Sequence, residues 1–317
     1  MRYLLALCAV VGVSMIVIII ACTPRQEPLN IAVNPYLGFQ PFFVASTALQ
    51  CPDCPESSDY IGGRSFSINL VTSMNVVNNL FYAGELDASF MSLEEALELY
   101  AHTQGGVCIA KVLGPATGTR AIMMRAGEQK QPAFLGYEQS PFNAFLLAEA
   151  VPALNWQPGQ THFHFISLTK HPQALLSGEV DAVLAIEPYL SQLKSNGAVV
   201  VFDDKSLSTE TYDVFVVTKS AYEVHEELIN WLATDYWDSG VKALNSGGAD
   251  VVKAVEANAG VAELDLASAV QSVPYLTLQQ PSVPYPELSD LIAEALPRIT
   301  QAQPALTLGA CKDVVKR

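Results

Sequence analysis

The chain has 317 residues, half of them hydrophobic, and 32 acidic against 17 basic side chains give it a formal net charge of −15. So acidic a surface repels nucleic acid and anionic membrane, and it excludes polyanionic partners. The length provides for two domains of ordinary size with ample core.

Arg2 precedes an uncharged apolar segment, residues 3–21, near the roughly 20 residues that a membrane span needs. The segment ends in Ile19-Ile20-Ala21-Cys22, which resembles a bacterial lipoprotein signal, cut before a cysteine whose sulfur then carries a diacylglycerol. An uncleaved signal anchor is the alternative. Either reading puts the bulk of the chain outside the cytoplasm, on the periplasmic or cell-surface side, and neither lets the segment join the fold. Residues 1–21 are therefore expected as signal peptide, Cys22 as the lipid attachment site and 22–28 as a short polar tether. No later apolar run approaches membrane-spanning length.

The remaining chain alternates strand-like and helix-like stretches with short breaks, the pattern of parallel sheets covered by helices. Residues 29–34 read as strand and 41–50 as its helix, and a loop rich in Pro, Ser and Gly runs to Arg64. In that loop Cys51-Pro52-Asp53-Cys54 invites a thiol-redox reading, but Cys51 follows a helix rather than starting one, so no helix dipole lowers its pKa. A structural disulfide is the better reading. With Cys108 and Cys311 three pairings are possible, and spacing does not choose among them. Strand 66–72, helix 74–83, strand 87–91 and helix 93–103 follow, then strands 107–113 and 120–124. A second unit reads as strand 134–137, helix 141–154, strand 161–168, helix 172–177, strand 181–186, helix 188–195, and strands 198–202 and 212–218. From Ala221 the pattern is mostly helical: 221–245, 250–258, 263–273 and 286–299.

One phrase occurs twice. Gly84-Glu85-Leu86-Asp87-Ala88 recurs as Gly178-Glu179-Val180-Asp181-Ala182, each time between a helical stretch and an apolar strand. A Gly just past a helix takes the left-handed conformation that ends it. A helix–turn–strand unit used twice points to two similar α/β lobes with a cleft between them. Lobe one is expected at 29–116 plus 214–317, and lobe two at 117–213.

In open parallel α/β sheets ligands bind beyond the carboxyl ends of the strands, so the strand-to-helix corners hold the candidate site. Gln40-Pro41, Ser140-Pro141 and Glu187-Pro188 put proline where a helix begins, and Ser92-Leu93-Glu94-Glu95 has the form of a capping box. Their free N–H groups are expected to point at the cleft. The candidate ligand-binding residues are Tyr36, Phe39, Ser73, Met91, Ser92, Thr117, Gly118, Glu138, Ser140, Phe142, Glu187 and Tyr189. Tyr36 and Phe39 share a loop with Gly38, placed to stack on a ligand, whereas Phe42 and Phe43 are expected in the core. Glu138 and Glu187 follow apolar strands and are placed to accept a ligand N–H or pair with a cation. Arg120 is the one basic residue near a corner, so a strongly anionic ligand has few charge partners. His162 and His164 share a strand face without a recognisable third ligand. No nucleophile elbow, phosphate loop or zincin helix is present, so neither catalytic residues, a metal nor a cofactor is expected.

With the lipoprotein signal, the aromatic corner 34–45, both Gly-Glu-x-Asp-Ala phrases and Ile186-Glu187-Pro188 in hand, the chain resembles the substrate-binding proteins of ABC importers for nitrate, sulfonates, taurine and thiamine pyrimidine precursors. The resemblance runs from about Leu29 to Tyr275. It implies the type II periplasmic-binding-protein fold, two α/β lobes with parallel-type sheets joined by two crossovers. It also implies a monomer that closes on a small molecule and is then recognised by a membrane permease. The chain departs from the family in having Ile186 where Trp often stands, and Thr117-Gly118-Thr119-Arg120-Ala121 where the first crossover often reads Ser-x-Gly-Ala-Asp. The stretch 51–65 looks like an insertion. Aromatic corners with acids favour an aminopyrimidine-like heterocycle over a sulfonate. A ligand-sensing module without transport, and an enzyme related to pyrimidine synthases, are the alternatives.

Overall fold

The computed structural model describes residues 27–48, 58–61, 64–128, 130–261, 266–271, 273–277, 287–295 and 308–315. The signal segment, Cys22, and Cys51 with Cys54 lie outside them.

Strands β1 (Leu29–Val33), β2 (Ser58–Ile61), β3 (Arg64–Leu70), β4 (Ala88–Ser92), β5 (Val107–Pro115) and β11 (Tyr212–Thr218) form a six-stranded sheet in the order β2-β3-β1-β4-β11-β5. Strands β6 (Arg120–Arg125), β7 (Phe134–Tyr137), β8 (His162–Phe165), β9 (Ala182–Ile186) and β10 (Ala198–Asp203) form a five-stranded sheet in the order β10-β6-β9-β7-β8. Each sheet has a parallel heart, β3-β1-β4 in one and β8-β7-β9 in the other. The strands beside the two connections between sheets run against it: β11 is antiparallel to β4 and β5, and β6 to β9 and β10. The sheets are thus mixed, with the antiparallel strands gathered where the chain passes from one lobe to the other.

Both faces of each sheet are covered, which is why the central strands read as apolar runs without polar alternation. Successive side chains point to opposite faces. In β11, Phe215 and Val217 enter one apolar cluster while Val214 and Val216 enter the other. In β6, Ile122 and Met124 face one way and Ala121 and Met123 the other. The larger lobe is centred on aromatic rings: Phe90 stacks on Phe215 with centroids 4.6 Å apart, and Phe42 meets Phe90 at 4.7 Å and Tyr236 at 4.9 Å. Tyr236 closes a single π-helical turn, Leu232–Tyr236, between helices Lys219–Trp231 and Trp237–Ser246. The extra residue in that turn shifts the buried face, so that Tyr236 and Trp237 are both inside.

The duplicated phrase has a physical account. Gly84 (φ 72°) and Gly178 (φ 81°) each end a helix in the left-handed region. Asp87, just before β4, accepts the Asn30 N–H of neighbouring β1 at 2.8 Å. Asp181, just before β9, accepts the Ala133 and Phe134 N–H groups at the start of neighbouring β7, both at 2.9 Å. In each lobe the repeated acid fastens the start of the adjacent parallel strand, at the second residue of β1 and at the first of β7, and so helps set the register of the pair.

Three local expectations are revised. The stretch before Arg64, read as loop, contains β2, which pairs antiparallel with β3; its four residues carry no alternation to betray it. The strand expected over 161–168 is only His162–Phe165, followed by a 3-10 turn at Leu168–Lys170. The long helix expected over 221–245 is split by the π turn. Among the four later cysteines, Cys108 on β5 is bonded to Cys311, with Cα atoms 4.9 Å apart. The segment carrying Cys311 also lies against β5, where the Ile109 N–H donates to the Gly309 carbonyl at 3.0 Å.

Candidate functional site

The strand-to-helix corners of the two sheets face each other and touch. After β1, Asn34 Oδ1 accepts the Tyr36 N–H at 3.0 Å, and Gln40 Nε2 donates to the Pro35 carbonyl at 3.1 Å, folding the aromatic loop into one tight turn. The Tyr36 ring folds over Gly38, where an added Cβ would lie 2.3 Å from Tyr36 Cε1. Its hydroxyl crosses to the other lobe and donates to Thr119 Oγ1 at 2.7 Å. Beside it the Leu37 N–H donates to the Glu187 carbonyl at 3.1 Å.

Arg120 stands at the centre of this contact. It opens β6, and its Nη2 reaches Asp213 Oδ1 on β11 of the larger lobe at 2.9 Å. The guanidinium carbon lies 4.6 Å from the centroid of Tyr36 and 4.4 Å from that of Phe142, one ring from each lobe. Burial works against the charge, but Asp213, with help from Tyr36 and Asp204, outweighs it and raises the Arg120 pKa above its ordinary value. A desolvated cation against an aromatic face gains about 2 kcal/mol.

Buried carboxylates surround it. The N-terminus of helix Met74–Ala83 receives no side-chain cap from its own Ser73. Instead Glu138, on the other lobe, accepts the Met74 N–H at 2.8 Å and bonds the Ser73 hydroxyl. Ser92 and Glu95 form the expected reciprocal capping box at the start of helix Leu93–His102. Burial pushes the Glu95 carboxyl up to about 7, opposed by the Ser92 N–H, by Arg120 and by the Ser140 hydroxyl across the cleft. Glu187 accepts the Ser191 N–H at 3.1 Å and its hydroxyl at 2.9 Å. Asp204, on the second crossover, accepts the N–H of Gly118 and, at 3.0 Å each, those of Thr119 and Arg120 on the first. Burial raises the carboxyls of Glu138, Glu187 and Asp204 as well. The cluster therefore disfavours a further negative charge and favours a positive one.

Of the residues expected from sequence, Tyr36, Ser73, Ser92, Gly118, Glu138, Ser140, Phe142 and Glu187 are brought together around Arg120 and Glu95 by the contacts above. Thr117 lies on the first crossover and donates to Glu210 at 3.2 Å. Phe39 packs instead in the aromatic core of the larger lobe, 5.7 Å from Phe90, and Met91 is fully buried on the opposite face of that sheet. Tyr189 is buried too, its hydroxyl bonded to the Ala259 carbonyl of the larger lobe at 2.8 Å. Three of the four helix starts expected to offer free N–H groups have partners within the chain, at Glu95, Asn143 and Ser191, as does Met74 at a start that was not singled out. Thr119, Asp204 and Asp213 were not expected, nor was Glu95 as more than a cap. The one available signal was a lone arginine opening the apolar run Ala121-Ile122-Met123-Met124.

No protein-family profile and no curated protein sequence matches the chain. Solved structures do. The periplasmic aliphatic sulphonate binding protein SsuA from Escherichia coli superposes with a TM-score of 0.60 at 16% identity, over 79% of this chain and 84% of that one. The alkanesulfonate-binding protein SsuA from Xanthomonas axonopodis, bound to MOPS, gives 0.66 at 12% identity, over 86% and 92%. The chain has the periplasmic-binding-protein fold. A ligand-binding component of an ABC-type import system from Staphylococcus aureus, with zinc bound, gives 0.61 at 14% identity, over 92% of this chain and 97% of that one. At such identities the likeness concerns the fold, and the solute named for each neighbour is that neighbour's own.

Proposed function

We propose that the chain is the extracytoplasmic solute-binding component of an ABC-type importer, tethered through a lipid on Cys22, which closes two lobes on a small organic ligand. The observation that carries this reading is the meeting of corners from both sheets around Arg120, in a fold whose solved neighbours include ABC-import binding proteins. The lobes are taken as 29–116 with 214–317, and 117–213; β11 begins two residues before the second boundary. A solute touching both lobes gains affinity selectively for the closed form, which a permease then recognises. Micromolar binding corresponds to about −8 kcal/mol, within reach of an aromatic slot and several hydrogen bonds. The buried acids support an amine-bearing heterocycle of aminopyrimidine type over a sulfonate. The protein acts as a monomer and performs no chemistry on the solute.

The test is a thermal-shift screen of aminopyrimidines, other amine-bearing heterocycles, amino acids and sulfonates, with native mass spectrometry of the purified protein. Stabilisation by amine-bearing heterocycles is expected. Stabilisation confined to anions overturns the ligand preference. If no small molecule stabilises the protein and none co-purifies, solute binding itself fails.

A further inference from the structure

The slot between the lobes has an occupant that belongs to the chain. The guanidinium of Arg120 lies over the ring of Tyr36 of the larger lobe and over that of Phe142 of the smaller, at 4.6 and 4.4 Å. Asp213 takes the edge of the same group at 2.9 Å, and Thr119 Oγ1 is 3.4 Å from Nη1. All these side chains are buried: Tyr36 and Phe142 are 1% exposed, Thr119 0%, Asp213 4% and Arg120 6%. Two aromatic walls, a carboxylate at the rim and a hydroxyl beside it are the elements that recognise a flat, delocalised cation.

We infer that Arg120 is a built-in stand-in for the solute, and that the solute is a flat cation of the amidinium or protonated-aminoheterocycle class, which enters by displacing the Arg120 side chain from the rings of Tyr36 and Phe142. This deepens the solute-binding reading and rests on it. The chain's own contacts across the lobes, Tyr36 to Thr119, Leu37 to Glu187 and Met74 to Glu138, frame the slot. The two aromatic faces suit a flat cation, as they suit the guanidinium they hold. A sulfonate would bring a negative charge beside Asp213 and Glu95, where Arg120 now supplies a positive one. Displacement then selects by charge as well as shape, because only a cation replaces what Asp213 loses when Arg120 leaves.

Chemical rescue tests the assignment without knowledge of the natural solute. R120A leaves Asp213 buried without its partner, and its Tm is expected to fall. Guanidinium chloride at millimolar concentration, far below denaturing levels, is then expected to raise the Tm of R120A saturably, by about 5 °C at a hundredfold excess over its dissociation constant. Wild type should rise less at the same concentration, because the free cation must first displace the tethered Arg120, and taurine should move neither. No rise with guanidinium, or a rise with taurine, overturns the proposal. If R120A does not fold, the wild-type protein decides by NMR of the Arg120 Nε–H, assigned through its loss in R120K. Benzamidine is expected to shift that resonance and remove its protection from solvent exchange. A resonance unmoved by benzamidine, or moved by taurine, overturns the proposal. Because these probes are not the natural solute, their failure removes the flat-cation slot while leaving solute binding to the screen described above.

Discussion

Replacing Glu95 by Gln tests the electrostatics of the cleft most directly. Glutamine keeps the capping box, since its side chain reaches back to the Ser92 N–H as a glutamate does, and it removes only the titration. Glu95 is 7% exposed, and burial lifts its carboxyl from 4.5 to about 7. A carboxyl raised on folding contributes stability that is fully present below its unfolded pKa and lost as pH rises through the folded one. Wild type should therefore lose stability relative to E95Q between about pH 4.5 and 7. The loss reaches about 3 kcal/mol, since each tenfold weakening of proton binding is worth about 1.4 kcal/mol. The assay is urea unfolding of both proteins at intervals from pH 4 to 8, comparing the difference at each pH. Near-equal stability at pH 4, with E95Q ahead by about that margin at pH 8, is the expected outcome. Parallel pH profiles, or an E95Q that is less stable at pH 8, would refute the claim that Glu95 is ionised against the grain of its surroundings.

Further outcomes follow from individual contacts. Tyr36→Phe removes the hydrogen bond to Thr119 between the lobes and should lower unfolding free energy by about 1 kcal/mol in urea titration, with the fold intact by circular dichroism. Asp87→Ala and Asp181→Ala each free the N–H groups of a neighbouring strand start and should cost about 1–3 kcal/mol, seen as faster amide exchange at Asn30 in one and at Phe134 in the other. Gly84→Ala and Gly178→Ala meet no atom within 4 Å, so only backbone strain remains, and thermal melts should register about 1–2 kcal/mol. Cys311→Ser opens a bond between residues 203 apart in sequence and should cost about 2–5 kcal/mol, an effect reproduced in wild type by reductant.

What could be read in advance was local. The helix stops at Gly84 and Gly178, the box at Ser92 and Glu95, and the cap at Ser140 depend on residues a few positions apart, and propensity reports them. The π turn at Leu232–Tyr236 is nearly as local but leaves no mark in the apolar pattern. The cleft is built otherwise. Met74 meets Glu138 across 64 positions, Gly118 meets Asp204 across 86, and Arg120 meets Asp213 across 93. No periodicity encodes such pairs. Arg120 was visible as the one basic residue near a corner, yet its destination is decided jointly by Tyr36, Phe142 and Asp213 from three separate segments. Phe39 and Tyr189 show the converse limit: an aromatic beside a helix start reads alike whether it turns into the core or out toward a solute.

The grip of Asp204 on three successive amides has a mechanical consequence. Its carboxylate rides on one of the two chain segments that link the halves and clasps the other, so neither segment twists without dragging its companion. The pair behaves as a single pin. Any swing of one half against the other would have to turn both segments together, for as long as those three bonds hold.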